Sequence, residues 1–291
     1  MKELLLLYLL MISVIAGPGQ APNEWQEADA AWLANKIYEG VNTMNTDYGY
    51  VFHSRDTRVY GAYALWKHKK NGECYIVIRG TKTLSDIFVD LDVEEYYDEH
   101  IDARVHNGVR SRTDAIIRDI DDKLKICTED IIITGHSLGG SIAYYLFLKY
   151  VKYHYDWGQI PKAFNFKAVL FAAPALTTKT NKIMLSYHDD YIHWFKYGRD
   201  PVPFIIPEVK NSYFFNILDV LFSSLGIKIT NKAYKTIKNV NYGSYHPGKK
   251  YLLKNGKKTD YSFEYYSFDL AGISDHMDFY KSVDILTKIW Y

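Results

Sequence analysis

A short apolar run that ends at a serine between two glycines constrains this chain more than any other feature. Residues 131–134 have the pattern of a buried β-strand; Gly135-His136-Ser137-Leu138-Gly139 and an apolar helical segment follow. A strand, a sharp turn and a helix in this order expose one serine hydroxyl, as in a nucleophile elbow. Glycines at 135 and 139 let strand and helix approach closely around a strained Ser137. The alternative is a glycine-rich turn whose serine has no chemical role.

Length and composition favour one large α/β domain or two small ones, and they exclude several classes of function. The chain has 291 residues, of which 48% are hydrophobic, so it can bury a sizeable core. The net charge is +1 and no basic stripe is present, which gives no electrostatic footprint for nucleic acid. No Cys/His cluster has the spacing of a zinc site. We therefore expect no nucleic-acid partner, no metal and no cofactor.

The N-terminal segment is strongly apolar. Residues 4–16 contain a single serine as their only polar residue, and this length suits a signal peptide better than a membrane span. We expect residues 1–16 to be a signal peptide and residues 17–291 to form a single secreted domain; a buried N-terminal helix and an uncleaved membrane anchor remain alternatives. A secretory route would permit a disulfide between Cys74 and Cys127, although the sequence equally allows two free buried thiols.

Alternating strand and helix patterns predict the α/β fold class, with a mainly parallel sheet covered by helices on both faces. Asn23 and Gln26 have the spacing of a helix-capping box. Residues 109–124 carry apolar side chains at helical spacing. The remaining predicted elements are core strands at residues 60–66, 74–78, 168–172 and 191–197, and hairpin turns at the Asn-Gly pairs 71–72 and 255–256.

A reactive serine needs a base, a group that orients the base, and donors for the oxyanion. In hydrolases with this type of elbow, an acid and then a histidine follow the serine along the chain. Asp200 follows the predicted strand 191–197 at its carboxyl end, where ligand sites of open α/β sheets lie. An ordinary Asp-Pro turn is the alternative interpretation of this residue.

Five histidines lie downstream of the serine, and His276 is the preferred base. It comes after the last predicted hairpin and just before a terminal helical pattern, so a loop could carry it over the sheet. His246 is the second choice. The other three lie in or beside predicted helices and strands: His154, His188 and His193.

Two backbone positions are candidates for the oxyanion hole. The first is the N–H of Leu138, the residue after the nucleophile. The second is Thr81, which follows the neighbouring predicted strand and offers both an N–H and a hydroxyl. A strand-terminating Gly-Thr turn is the alternative for the second position.

Short motifs in a fixed order resemble the class 3 (fungal-type) lipases of the α/β-hydrolase fold, over most of residues 24–290. They are Val77-Ile78-Arg79-Gly80-Thr81 with Asp86 and Asp90, Val105-His106-Asn107-Gly108, Gly135-His136-Ser137-Leu138-Gly139-Gly140, Phe171-Ala172-Ala173-Pro174, Asp200-Pro201-Val202-Pro203, His246-Pro247-Gly248, and His276.

The resemblance implies a role for each matching position. Ser137 would be the nucleophile, Asp200 the orienting acid and His276 the base. The oxyanion hole would be formed by Thr81 and Leu138. An aspartate like Asp90 supports the oxyanion hydroxyl in the family, and a lid helix maps onto about residues 83–91. The tryptophan that many fungal lipases carry near position 87 is missing here.

The sequence therefore predicts a serine carboxylic-ester hydrolase that acts on lipid esters, foremost a triacylglycerol lipase, through an acyl-enzyme intermediate. Phospholipase A1 and short-chain esterase are alternatives within the same class. A catalytically silent, lipase-like binding protein is the alternative from a different class. An apolar stripe over residues 213–225 is either a helix docked on the core, the wall of an acyl pocket, or a surface in transient contact with a membrane or lipid interface.

Overall fold

A computed structural model of the protein describes residues 21–40, 49–57, 61–81, 95–157, 166–178, 189–204, 246–261, 273–278 and 280–290. The strands are β1 Gly49–Thr57, β2 Gly61–His68, β3 Cys74–Ile78, β4 Glu95–Asp98, β5 Ala103–His106, β6 Ile131–His136, β7 Phe166–Phe171, β8 Ile192–Tyr197, β9 Lys249–Lys254 and β10 Lys257–Asp260. The helices are α1 Glu24–Lys36, α2 Asn107–Ile120, α3 Leu138–Trp157, α4 Ile273–Met277 and α5 Tyr280–Trp290. The predicted signal peptide, the predicted lid helix, Asp90 and the stripe at 213–225 lie outside the described residues.

Eight strands form one mixed sheet in the order β1-β2-β3-β6-β7-β8-β9-β10. Strands β3, β6, β7, β8 and β9 are parallel to one another. Antiparallel pairs complete both edges, and β4 and β5 form a separate two-stranded sheet. The predicted hairpin turns are confirmed, with Gly72 and Gly256 at φ of 76° and 71°, a backbone conformation that favours glycine. The sequence is right about a mainly parallel sheet.

Apolar side chains of the central strands point alternately to the two faces of the sheet. One face carries Ile76 and Ile133 against α2 and α3. The other face carries Val77 and Ile132 against α1 and α5. Because both faces are covered, the central strands are apolar along their whole length, as is usual for buried parallel strands. This layering confirms the predicted helices on both faces.

Helix α1 begins with the predicted capping box. The side chain of Asn23 accepts a hydrogen bond from the N–H of Gln26 (2.9 Å), and the side chain of Gln26 accepts one from the N–H of Asn23 (3.2 Å). The helix ends at Lys36, and a turn carries the chain to Gly40 at φ 124°. The reciprocal bonds satisfy two donors that a helix start otherwise leaves open.

Cys74 and Cys127 form a disulfide, which answers a question that the sequence left open. Helix α2 ends at Ile120, earlier than the predicted 124, and Asp121–Ile126 continues as a tighter 3₁₀ helix. This tighter turn delivers Cys127 beside the first residue of β3, at the amino end of the sheet. The bond therefore ties the connection between α2 and β6 to the neighbouring strand.

Three strands were not predicted from the sequence: β1, β4 and β5. Strand β1 has its apolar residues in one short run, Tyr50-Val51-Phe52, followed by polar and charged residues, and it lies at the sheet edge. Strands β4 and β5 are four residues long each. Such short or edge strands carry a weak hydrophobic pattern. None of the helices in the described ranges is long and apolar enough to cross a membrane.

Candidate active site

Ser137 occupies the tight turn between β6 and α3. Its φ is 57°, in the left-handed region that is unfavourable for a residue with a side chain. Two hydrogen bonds hold the turn: the N–H of Ser137 donates to the carbonyl of Phe171 (2.9 Å), and its carbonyl accepts from Gly140 (2.9 Å). The backbone therefore has the strained, fixed geometry that the elbow pattern predicts.

The two flanking glycines are required by close packing of the backbone. A Cβ at Gly135 would lie 2.5 Å from the carbonyl carbon of Gly139, and a Cβ at Gly139 would lie 2.3 Å from the carbonyl oxygen of Ile78. No side chain fits at such distances without moving backbone. The sequence argument for close approach of strand and helix at these positions is therefore correct.

Ser137, His276 and Asp200 form one hydrogen-bonded chain. The Nε2 of His276 lies 3.1 Å from the Oγ of Ser137, and its Nδ1 lies 3.0 Å from the Oδ2 of Asp200. His276 is 2% exposed and Asp200 is fully buried. The three side chains come from positions 139 and 76 residues apart, and the fold brings together the residues that the sequence analysis selected.

The turn after β8 fixes the position of Asp200. Its second carboxylate oxygen, Oδ1, accepts a hydrogen bond from the N–H of Val202 (2.9 Å). The same turn is tied to α4, because the N–H of Arg199 donates to the carboxylate of Asp275 (2.6 Å). Gly198, at φ 50°, leaves room for that carboxylate. His276 lies in the short helix α4 rather than in the loop that we expected, and this second tie holds the helix over the sheet.

A buried lysine, Lys196, interacts electrostatically with Asp200. The Nζ of Lys196 donates to the carbonyl of Gly198 (2.7 Å). Burial lowers the pKa of Lys196 to about 8, while the negative charges of Asp200 and Asp275 oppose that shift. Lys196 therefore places positive charge close to the two carboxylates that anchor His276 and its helix.

The oxyanion candidates lie beside the serine. Strands β3 and β6 pair in parallel with Ile78 opposite Gly135, so the residues after each strand run side by side. A Cβ at Gly80 would lie 3.1 Å from the Cβ of Ser137, and Thr81 is the next residue. Leu138 begins α3, where the first N–H groups of a helix have no intrahelical acceptor.

The hydroxyl of Thr81 is buried, and it has no hydrogen-bond partner within the described part of the chain. An unsatisfied buried hydroxyl costs free energy in the resting protein. The supporting residue that the resemblance implies, Asp90, lies outside the described residues. The hydroxyl is therefore available to a ligand atom that accepts a hydrogen bond.

The other histidines are engaged elsewhere. His246 packs against the rings of Trp194 and Phe204, and burial lowers its pKa to about 3. The Nδ1 of His193 lies 2.7 Å from the carboxylate of Glu27, a residue of α1. His188 and the side chain of His154 lie outside the described residues. His246, the second choice for the base, is therefore a neutral packing residue.

Sequence reasoning missed two residues beside the candidate base, Tyr38 and His136. The imidazole of His136 stacks on that of His276 with ring centroids 4.6 Å apart. Its Nδ1 lies 3.0 Å from the hydroxyl of Tyr38. Adjacency to Ser137 was a usable signal for His136, but nothing in the sequence marks Tyr38.

The arrangement has the parts that activate a serine. A neutral imidazole hydrogen-bonded to the hydroxyl can take its proton, and a buried carboxylate on the other ring nitrogen can hold the ring and stabilise its positive charge. Among the residues that the structure describes, no group of three or more His, Cys, Asp or Glu side chains could hold a metal ion.

Comparison with known protein families gives one match. The family described as lipase (class 3) matches residues 75–210. Among curated proteins, no match is found.

Several solved structures share the fold. Lipase II from Rhizopus niveus is 17% identical, with 88% of this chain and 95% of that chain covered and a TM-score of 0.59. A triacylglycerol lipase from Penicillium expansum is 14% identical, with 84% and 86% covered and a TM-score of 0.56. The Rhizomucor miehei lipase, in complex with its propeptide, is 15% identical, with 86% and 77% covered and a TM-score of 0.55. These structures and the mostly parallel sheet identify the α/β-hydrolase fold.

Proposed function

We propose that this chain, which the class 3 lipase family matches over residues 75–210, is a carboxylic-ester hydrolase of that family and hydrolyses lipid esters, with triacylglycerols as the main substrate class. Ser137 is the nucleophile, His276 the general base and Asp200 the acid that orients it. The observation that carries this proposal is the continuous hydrogen-bonded chain through both nitrogens of the His276 imidazole, at 3.1 Å and 3.0 Å.

The reaction begins when His276 takes the proton of the Ser137 hydroxyl as the oxygen attacks the ester carbonyl. Asp200 keeps the proton of the neutral ring on Nδ1, so that Nε2 is free to accept. His276 then protonates the leaving alcohol, and an acyl-enzyme remains on Ser137. Water, activated by the same imidazole, releases the fatty acid and restores the hydroxyl.

Negative charge on the carbonyl oxygen is stabilised by donors that surround it. Leu138 supplies its backbone N–H, and Thr81 supplies its N–H and its hydroxyl. Among the described residues the hydroxyl of Thr81 has no partner, and this supports the assignment, because such a donor needs no rearrangement to meet an oxyanion.

The direct test is hydrolysis of a p-nitrophenyl ester by Ser137→Ala. We expect turnover to fall by about 10⁴-fold or more, and labelling by a fluorophosphonate probe, read by intact mass, to be lost. Ser141→Ala is the matched control, since Ser141 is a buried serine in the first turn of α3, and its hydroxyl donates to the carbonyl of Pro174 (2.6 Å). Retained activity in the first variant, or a folded wild-type protein that neither turns over esters nor takes the label, would refute the assignment.

The substrate class needs its own experiment. A panel of triacylglycerols with short and long acyl chains, phosphatidylcholine and water-soluble short esters, each with and without detergent micelles, ranks the alternatives. Faster release of fatty acid from emulsified long-chain triacylglycerol than from the other substrates supports a lipase that works at a lipid interface. A preference for the sn-1 ester of phosphatidylcholine or for soluble short esters would replace it with a phospholipase A1 or an esterase.

We also propose that residues 1–16 direct the protein into the secretory pathway. The disulfide between Cys74 and Cys127 supports this, because disulfides persist in oxidising compartments. Expression of the full chain with a secretory host, followed by intact mass of the exported protein, tests the cleavage. Protein retained in the cytosol with residues 1–16 intact would contradict it.

A further inference from the structure

The hydroxyl of Tyr38 joins two parts of the site that the chain places far apart. Tyr38 follows α1, and its hydroxyl accepts a hydrogen bond from the N–H of Gly80, directly before Thr81. The same hydroxyl lies 3.0 Å from the Nδ1 of His136, which is 98 residues away along the chain. A Cβ at Gly80 would come within 2.6 Å of this oxygen, so the contact also explains a glycine at that position.

The direction of these hydrogen bonds follows from the donors available. Since the N–H of Gly80 donates to the Tyr38 oxygen, the phenolic proton is free to point at His136. Burial raises the pKa of Tyr38 well above its ordinary value, so the proton stays on the hydroxyl. Tyr38 therefore donates to the Nδ1 of His136, and the proton of the neutral His136 ring resides on Nε2.

His136 in turn contacts the candidate base. The two imidazoles stack with centroids 4.6 Å apart and planes 29° apart, and the His136 ring also interacts with the backbone of His276. Burial is the main cause that lowers the pKa of His136 well below its ordinary value, and the nearby imidazole of His276 lowers it further. A neutral His136 can lie against His276 without repelling the positive charge that forms there during turnover.

We propose that Tyr38 and His136 are positioning residues that act as one hydrogen-bonded link between the base His276 and the oxyanion segment of Gly80 and Thr81. The link sets how far the imidazole lies from the carbonyl oxygen that Thr81 must meet. It touches no reacting atom. It keeps proton transfer and oxyanion binding in register, and errors of about 1 Å in such geometry cost up to about 100-fold in rate. This inference rests on the proposed function.

Tyr38→Phe is the sharpest test because it removes one hydroxyl and keeps the ring that packs edge-on against His136. On a soluble p-nitrophenyl ester we expect kcat to fall at least about tenfold, with KM within about twofold of wild type. Tyr75→Phe is the matched control: its buried hydroxyl contacts Glu73 and Asp29 at the amino end of the sheet, away from the site. We expect this control to keep kcat within about twofold.

A second variant, His136→Phe, keeps an aromatic ring stacked on His276 and removes both nitrogens. If the two residues act as one link, the double variant should lose no more turnover than the worse of the two single variants. His136→Gln, which offers one acceptor to Tyr38, should recover part of the lost kcat. Thermal unfolding of each variant shows whether the protein is folded during the assay.

The outcomes separate this inference from the proposed function. If Ser137→Ala abolishes hydrolysis while folded Tyr38→Phe and His136→Phe keep wild-type kcat, the link is refuted and the proposed reaction stands. Multiplicative losses in the double variant, or a rise in KM alone, would also overturn it. If the wild-type protein has no esterase activity at all, it is the proposed function that fails.

Discussion

The two ends of the parallel strands contrast in how their buried polar groups are satisfied. At the amino end, the Nζ of Lys167 lies 2.5 Å from the carboxylate of Asp130 and donates to the side chain of Gln26 (2.9 Å). Gln26 donates in turn to Glu73 (2.7 Å) and to Asp130 (3.0 Å). The disulfide between Cys74 and Cys127 closes the same end. These groups bind one another and leave little for a ligand to do.

At the carboxyl end, the segments that follow the same strands contain a residue in an unfavourable backbone conformation and a buried hydroxyl without a described hydrogen-bond acceptor. Ser137 has a positive φ, and the buried hydroxyl of Thr81 lacks a partner among the described residues. Strain and unsatisfied donors persist only where the surrounding structure over-determines them, and they cluster at sites of chemistry. The contrast indicates that contacts at the amino end of the sheet stabilise the fold, whereas the geometry at the carboxyl end costs folding free energy. Substitutions at the two ends should therefore separate the free energy of unfolding from turnover.

The largest expected effect comes from the disulfide at the amino end. Replacing both Cys74 and Cys127 by alanine removes a bond that closes a sequence separation of 53 residues. We expect the free energy of unfolding to fall by about 4 kcal/mol, measured by denaturant titration, while kcat of the folded fraction is unchanged. A loss of kcat in protein that is still folded would break the proposed division between the two ends.

At the carboxyl end, Thr81→Val replaces the open hydroxyl by a methyl group of similar size. We expect kcat to fall by about 10²–10³-fold, with no loss in the free energy of unfolding, because the hydroxyl makes no hydrogen bond within the described part of the chain. Thr134→Val is the matched control, since its buried hydroxyl donates to the carbonyl of Val169 (2.7 Å); it should lose stability and keep kcat. If Thr81→Val unfolds more readily than Thr134→Val, its hydroxyl is structural.

Lys167→Met tests the buried ion cluster. Lys167 is 2% exposed and its partner Asp130 is 22% exposed. Water can therefore partly hydrate the carboxylate of Asp130 once the lysine is removed. We expect a loss of about 3 kcal/mol in the free energy of unfolding, at the lower end for a broken buried pair, and no change in kcat. Thermal and chemical unfolding provide the measurement, and an unchanged midpoint would show that the cluster contributes nothing net.

The smallest effect is a pH dependence at the amino end. Burial, helped by the charge of Glu73, raises the pKa of Asp29 from 3.8 to about 7. Between about pH 4 and pH 7 the folded state therefore binds more protons than the unfolded chain. The free energy of unfolding falls as the pH rises through that window, and above pH 7 the full loss of stability from Asp29 is present. We expect Asp29→Asn to raise the unfolding temperature by about 2–4 °C at pH 8 and to leave it unchanged at pH 4. Equal shifts at both values would contradict the linkage.

How much the sequence predicted depends on how local each signal is. The capping box at Asn23 and the elbow around Ser137 are encoded within a few residues, and both are confirmed. The structure brings Asp200 and His276 together with Ser137, and the sequence could select them because the order of strands limits which chain segments reach the carboxyl end of the sheet. Whether they act in catalysis stays a prediction.

What the sequence missed or left open depends on contacts between distant segments. The sequence left the pairing of Cys74 with Cys127 open, because the pairing depends on β3 and β6 lying beside each other. Tyr38 meets His136 only because α1 packs across β6. No sequence motif marks such side chains, because their contacts depend on how two distant elements pack together and not on the residues adjacent to them in the sequence.

Helix α1 runs from one of the contrasting ends to the other. Gln26, in its first turn, lies in the ion cluster, and Tyr38, just past its last turn, contacts His136, the residue before Ser137. The helix has 13 residues and so spans about 20 Å. It works as a spacer of set length: one inserted residue would advance its end by about 1.5 Å and rotate it by about 100°, carrying the phenol away from the imidazole. Substitutions on its outer side are tolerable, whereas insertions and deletions anywhere along it are not.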